Sequence, residues 1–212
     1  MIVTADPSLQ SAIDALSIPG IMVGHRLISL GDEQALLPEE AAAFAASIAK
    51  VRRASGAARI VAREMLAQLG HAGCALPKAP SGAPTWPAGV VGSLAHDARV
   101  AIAAVGRSRD VGAIGIDVEP AEPLPAEILD MVATPRERLK ITDDPCHGRL
   151  LFVAKEAVYK AVYPLDHMFL DHHDVEIDFA GRKATVCNGR VVELRFGIST
   201  HLVALAFLQK ER

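Results

Sequence analysis

Ile114-Gly-Ile-Asp-Val-Glu119 and Phe152-Val-Ala-Lys-Glu-Ala-Val-Tyr-Lys160 decide how this chain of 212 residues is read. The first alternates with a period of two, the pattern of a strand with one face in a core. Ile116 and Val118 are expected to face that core, and Asp117 and Glu119 to share the opposite face. The second stretch predicts a helix. Glu156 and Lys160 fall on one helical face. Phe152, Val153, Ala157, Tyr159, Ala161 and Val162 make much of its circumference apolar, so it is expected to be largely buried. Strands mixed with dominant helices predict an α+β fold.

Upstream, residues 1–37 read as strand-rich, with one or two strands in Ile21–Leu30. Pro38-Glu-Glu opens an alanine-rich helix, since proline suits the first helical position and acids suit the positive end of the helix dipole. That pattern runs to about Leu69 and stops at Gly70, with a bend or break expected at Gly56. Four prolines and two glycines make residues 77–89 a loop, with Trp86 read as its anchor on the core. Strands are predicted at 90–97, 100–105 and 111–119. A short helix is predicted near Pro135–Lys140, and a longer one from Gly148 to about Tyr163, stopped by Pro164. The remaining strands are placed at 175–179, 183–186, 191–196 and 202–208. Asp171-His-His-Asp174 reads as a solvated loop.

Composition narrows the function classes. Acids outnumber lysine and arginine by 25 to 22, for a net charge of −3, so no basic field favours nucleic acid. No apolar run reaches the length of a membrane span, and the first residues lack the pattern of a secretory leader. Cys74, Cys146 and Cys187 are far apart and odd in number, which disfavours a disulfide framework and fits reduced thiols in the cytoplasm.

The chemistry lies in the carboxylates. Asp117, Glu119 and Glu156 fit the oxygen-donor preference of Mg²⁺, and Lys155 and Lys160 are point charges suited to phosphate. Taken singly, Asp117 with Glu119 is also a solvated strand end, and Glu156 with Lys160 a surface ion pair. On a buried helix, however, charges need partners. His96 is either a hydrogen-bonded turn histidine or a donor to a phosphate or nucleotide. Arg52, Arg53, Arg59 and Arg63 form either a solvated helix face or an anion-capturing one.

Gly92-Ser-Leu-Ala-His96, Ile114-Gly-Ile-Asp-Val-Glu119 and Phe152-Val-Ala-Lys-Glu-Ala-Val-Tyr-Lys160, in this order, resemble the 4′-phosphopantetheinyl transferases. Arg52-Arg-Ala-Ser-Gly-Ala-Ala-Arg59, Pro84-Thr-Trp-Pro-Ala-Gly89 and Thr134-Pro-Arg-Glu-Arg138 look like the larger, single-chain class that serves siderophore and nonribosomal lipopeptide synthetases. The resemblance implies two similar α/β halves, 1–107 and 108–212, related by a pseudo-twofold axis, with coenzyme A between them. It implies a monomer that moves the 4′-phosphopantetheine arm of coenzyme A to a serine of an apo acyl, peptidyl or aryl carrier protein. By position, Asp117, Glu119 and Glu156 match the Mg²⁺ ligands. Lys155 and Lys160 match phosphate contacts and His96 a nucleotide contact, while Arg52, Arg53 and Arg59 fall where the 3′-phosphate is bound. Glu156 is then the expected base and Lys160 the stabiliser of the leaving group. Ala95 replaces a common serine, Gly82 a common basic residue for which Lys78 is a substitute, and Phe152 a tryptophan. These departures motivate an alternative, a coenzyme A- or nucleotide-binding regulatory module without transfer activity.

Overall fold

The computed structural model describes residues 5–210. The strand character expected of the first four residues lies outside them. The helices are α1 (Pro7–Asp14), α2 (Pro38–Ala41), α3 (Ala49–Gln68), α4 (Ala126–Val132), α5 (Pro135–Arg138) and α6 (His147–Asp166). The strands are β1 (Ile21–Leu27), β2 (Val90–His96), β3 (Val100–Arg107), β4 (Val111–Pro120), β5 (Val175–Asp178), β6 (Lys183–Val186), β7 (Val191–Ile198) and β8 (His201–Gln209). They form two antiparallel sheets, ordered β1-β3-β2 and β4-β8-β7-β6-β5. The α+β class expected from the sequence is the class observed.

Strand periodicity places the cores. Along β3, Val100, Ile102 and Ala104 join Ile114, Ile116 and Val118 of β4 and Val203, Leu205 and Phe207 of β8 in a core between the sheets. The alternate β3 residues, Ala101, Ala103 and Val105, pack with Ala57, Ala58, Val61 and Met65 of α3. On the five-stranded sheet, Leu202, Ala204 and Ala206 turn towards Val153, Ala157 and Ala161 of α6. Each long helix therefore covers the outer face of one sheet. Gly115 lies on the α6 side of β4, where a Cβ would stand 1.9 Å from the carbonyl oxygen of Ala157 and 2.5 Å from the nitrogen of Ala161. Gly115→Ala must push α6 away, and overpacking of this kind costs about 1–3 kcal/mol or more. A thermal melt should show the midpoint lowered by roughly 2–12 °C.

Three local expectations are corrected. Residues 1–37 are not simply strand-rich, because α1 precedes β1. Asp6 accepts from the backbone N–H groups of Ser8 and Leu9, and Pro7 opens the helix, an N-cap followed by its favoured proline. The helical segment from Pro38 breaks around Ala45–Ile48 rather than at Gly56. Gly56 stays helical within α3, and a glycine is required there because the carbonyl oxygen of Asp32 lies 2.0 Å from where a Cβ would be. Pro164 does not stop α6, which runs on to Asp166. A proline in the last turn gives up only one helical hydrogen bond and already has helical φ. His167 then ends the helix at φ 57°.

Candidate active site

Asp117 and Glu119 stand on the outer side of β4, as the strand period requires, while Ile116 and Val118 enter the core between the sheets. Asp117 is 7% exposed, and its Oδ1 accepts from Nζ of Lys160 at 2.6 Å. Burial pushes its carboxyl above the ordinary range against the pull of Lys160, and Glu156 adds repulsion. Glu119 is also raised, by burial and then by Asp117, although Arg149 donates to its Oε2 at 3.1 Å. Arg149 is held in turn by the carbonyls of Glu122 and Pro123.

On α6, Glu156 and Lys160 face one cleft, as their spacing predicts. The cleft has a volume of about 490 Å³, with Lys78, Trp86, Leu94 and Tyr159 also in its wall. That is the size range of small-molecule sites. Oε1 of Glu156 lies 3.2 Å from Nε2 of His172. His172 holds this carboxyl below the ordinary range, with Lys160 assisting and burial opposing. The ring of His172 stacks on Phe152 with centroids 5.6 Å apart.

The three carboxylates are near neighbours in charge, but they are not gathered into one cluster. Among the described residues no group of three acidic, histidine or cysteine side chains is arranged to hold a metal. Each has its own basic neighbour: Lys160 for Asp117, Arg149 for Glu119 and the imidazole of His172 for Glu156. The donor chemistry nevertheless fits a hard divalent cation. Burial raises both Asp117 and Glu119 in spite of Lys160 and Arg149, with Glu156 adding to the first and Asp117 to the second, so a further cation beside them would be favoured.

Two expected ligand contacts are corrected. Lys155 is 2% exposed. Its ammonium donates to Oε2 of Glu137 at 2.6 Å and to the carbonyls of Val132 and His172 at 2.9 and 2.8 Å. All three of its protons are used inside the protein, so none reaches a phosphate. The partner, Glu137, belongs to a capping box on α5: its carboxylate accepts from Thr134 N–H at 2.9 Å, and Thr134 Oγ1 accepts from Glu137 N–H at 3.2 Å. Arg59 is also internal. It donates to the carbonyls of Leu76 and Ser55, sits 3.7 Å from the fully buried Glu40, and covers the ring of Phe44. It ties α3 to the start of the proline loop.

Arg52 and Arg53 keep more freedom at the start of α3. Arg52 reaches the carbonyl of Ser47, and Arg53 pairs with Glu33 at 3.1 Å. Arg53 and Lys50 share a second cleft, of about 370 Å³, with His96 at the exposed end of β2. Trp86 does anchor its loop, packing with Leu76 and Val90.

His172 and Arg149 escaped the reading of the sequence as site residues, whereas Lys78, read as the substitute for a basic residue at Gly82, does line the cleft. Arg149 was within reach, since it precedes Glu156 by two helical turns and so shares its face. His172 carries no such signal, because only the fold returns its loop to α6.

Comparison with known proteins identifies relatives of the chain. A family model described as the 4′-phosphopantetheinyl transferase N-terminal domain matches residues 39–106, and one for the 4′-phosphopantetheinyl transferase superfamily matches residues 113–205. The 4′-phosphopantetheinyl transferase Npt of Nocardia iowensis is 42% identical over 165 residues, spanning 76% of this chain and 74% of that protein. Svp of Streptomyces mobaraensis is 42% identical over 148 residues, or 67% of this chain and 60% of its own length. PptT of Mycobacterium tuberculosis is 43% identical over 147 residues, or 68% and 65%. A crystal structure of the Thermotoga maritima holo-[acyl-carrier-protein] synthase aligns over 48% of this chain at 20% identity with a TM-score of 0.39, too low to bear on the fold.

Proposed function

Because the chain belongs to the 4′-phosphopantetheinyl transferase superfamily, we propose that it transfers the 4′-phosphopantetheine arm of coenzyme A to a serine of an apo acyl, peptidyl or aryl carrier protein, releasing adenosine 3′,5′-bisphosphate. The supporting observation is the meeting of Lys160 with Asp117, and of Glu156 with Lys78 and Trp86, around one ligand-sized cleft. The chain divides at 107/108, and the second part carries the charged groups of the reaction. The carriers are those of siderophore or nonribosomal peptide assembly, and the enzyme works as a cytoplasmic monomer.

The diphosphate lies against Lys160, with Lys78 adding charge where Gly82 lacks it. His96, Arg52 and Arg53 take the 3′-phosphorylated nucleotide end. Asp117, Glu119 and Glu156 would hold Mg²⁺, which supplies neutralising charge to the diphosphate. Glu156 takes the proton of the carrier serine, being ionised at neutral pH beside His172. The serine oxygen bonds to the phosphorus that carries the pantetheine arm. The bond from that phosphorus to the bridging oxygen breaks, and its electrons leave with the adenosine bisphosphate. Lys160 stabilises the charge that grows on the departing oxygen.

Intact-protein mass spectrometry tests this. A panel of apo carriers incubated with the enzyme, coenzyme A and Mg²⁺ should gain the mass of one phosphopantetheine arm. EDTA should abolish the gain and excess Mg²⁺ restore it. Coenzyme A binding with no gain on any carrier would sink the transferase reading in favour of a binding module.

A further inference from the structure

The turn joining β2 to β3 places Asp97 directly after His96. Oδ1 of Asp97 accepts from the backbone N–H groups of Arg99 and Val100, both at 2.6 Å, so one oxygen stiffens the turn. The other, Oδ2, stands 3.0 Å from Nε2 of His201, the first residue of β8. The two side chains are 5% and 2% exposed, and neither atom has an aligned hydrogen-bond partner, so each is a buried polar atom whose nearest polar neighbour is the other. The contact crosses from the three-stranded sheet to the five-stranded one. His201 sits opposite Pro120 in the β4–β8 register, immediately beyond the Glu119–Leu202 pair.

A polar path continues on the other side of the ring. Nδ1 of His201 lies 3.0 Å from Oγ1 of Thr200, whose hydroxyl donates to Oδ2 of Asp6 at 3.3 Å. The backbone N–H of Asp6 donates to Nε2 of His25 on β1 at 3.0 Å. Asp97 and His201 flank strand residues Ala95, Val100 and Val203 in the chain, which are apolar and buried in the core between the sheets. Apolar residues of similar volume would fill this place at no loss of stability. What a carboxylate–imidazole contact adds is a preferred separation, because each buried polar atom has only the other to face.

We propose that Asp97 and His201 are a positioning pair: they lock the β2–β3 turn to β8 and thereby set His96 at a fixed place for coenzyme A. This rests on the reading of His96 as a coenzyme A contact. Neither residue touches the reacting atoms, so the loss should appear in coenzyme A recognition and not in the chemical step.

Steady-state kinetics with both substrates varied, and a thermal melt of every variant, provide the test. Asp97→Asn and His201→Leu should each raise KM for coenzyme A about tenfold, the worth of one charge-assisted contact. At saturation kcat should stay within about threefold, and KM for the carrier should not move. The double variant should be no worse than the weaker single one, because both remove the same interaction. His201→Gln, which keeps a donor on a similar stem, should recover most of the affinity. Val192→Ala, in the core beneath α6, should lower the melting midpoint without moving KM. If His201→Leu does not fold, Asp97→Asn and His201→Gln carry the comparison. Unchanged KM in those two, or a matching rise in Val192→Ala, overturns the proposal. His96→Ala separates the premises. A raised KM there with normal Asp97→Asn sinks the positioning role alone, whereas normal KM in His96→Ala sinks both it and the His96 reading.

Discussion

Glu156→Gln should reduce arm transfer by about 10²–10⁴-fold, the usual contribution of a positioned general base, while leaving the protein folded. Glu156 sits on α6 with its side chain 31% exposed, and its partner, His172, is equally open to solvent. Losing such a pair costs at most about 1 kcal/mol, so the melting midpoint should barely move. The amide keeps the shape and oxygen of the side chain but cannot take the serine proton. Coenzyme A binding should therefore persist. The check is the rate of mass gain on the best carrier, together with calorimetric titration of coenzyme A. A variant within about threefold of the parent rate would place the base elsewhere, and coenzyme A binding lost in parallel would make Glu156 a ligand-holding group only.

Lys155→Met should act on stability. The change preserves the length of the stem and removes the ammonium that Glu137, Val132 and His172 share. Glu137 keeps its two backbone donors, Thr134 N–H and Ile177 N–H, but loses its only cationic partner among the described residues. Leaving one member of a buried pair uncompensated costs about 3–5 kcal/mol. For a domain of this size that corresponds to a fall of roughly 6–20 °C in the melting midpoint. Urea denaturation gives the free energy directly. A phosphate-binding lysine would behave in the opposite way, with an unchanged midpoint and a raised KM for coenzyme A. That pattern in Lys155→Met would restore the role implied by the resemblance.

These two lysines show where reading the sequence succeeds and where it stops. Lys160 lies four residues from Glu156, and helical geometry alone puts both on one face. Lys155 lies next to Glu156, which points it about a quarter-turn away, towards the core between α6 and the Thr134–Glu137 cap. The motif names both lysines and is silent on which one faces the cleft. Strand periodicity placed Asp117 and Glu119 correctly, because a period of two leaves no other choice. It could not foresee their partners Lys160 and Arg149, which come from a different element. Arg59 failed for a similar reason: its position on α3 was legible, but the buried Glu40 that claims it arrives from α2 by tertiary packing. Local capping was legible in principle, and Asp6-Pro7 was a missed signal, since both residues are favoured helix openers. The break at Ala45–Ile48 carries no glycine or proline and left nothing to read.

The order of strands in the larger sheet also sets a timetable. β4 lies at its edge and is hydrogen-bonded there to β8 alone. The strand bearing Asp117 and Glu119 thus emerges from the ribosome long before its neighbour, residues 201–209. At about 5–20 residues per second it waits for several seconds as an unpaired ribbon. Only when β8 arrives do the carboxylates acquire their register, and only then does His201 reach Asp97. A nascent chain halted before that point holds every residue of the cleft but lacks the one strand that pairs with β4.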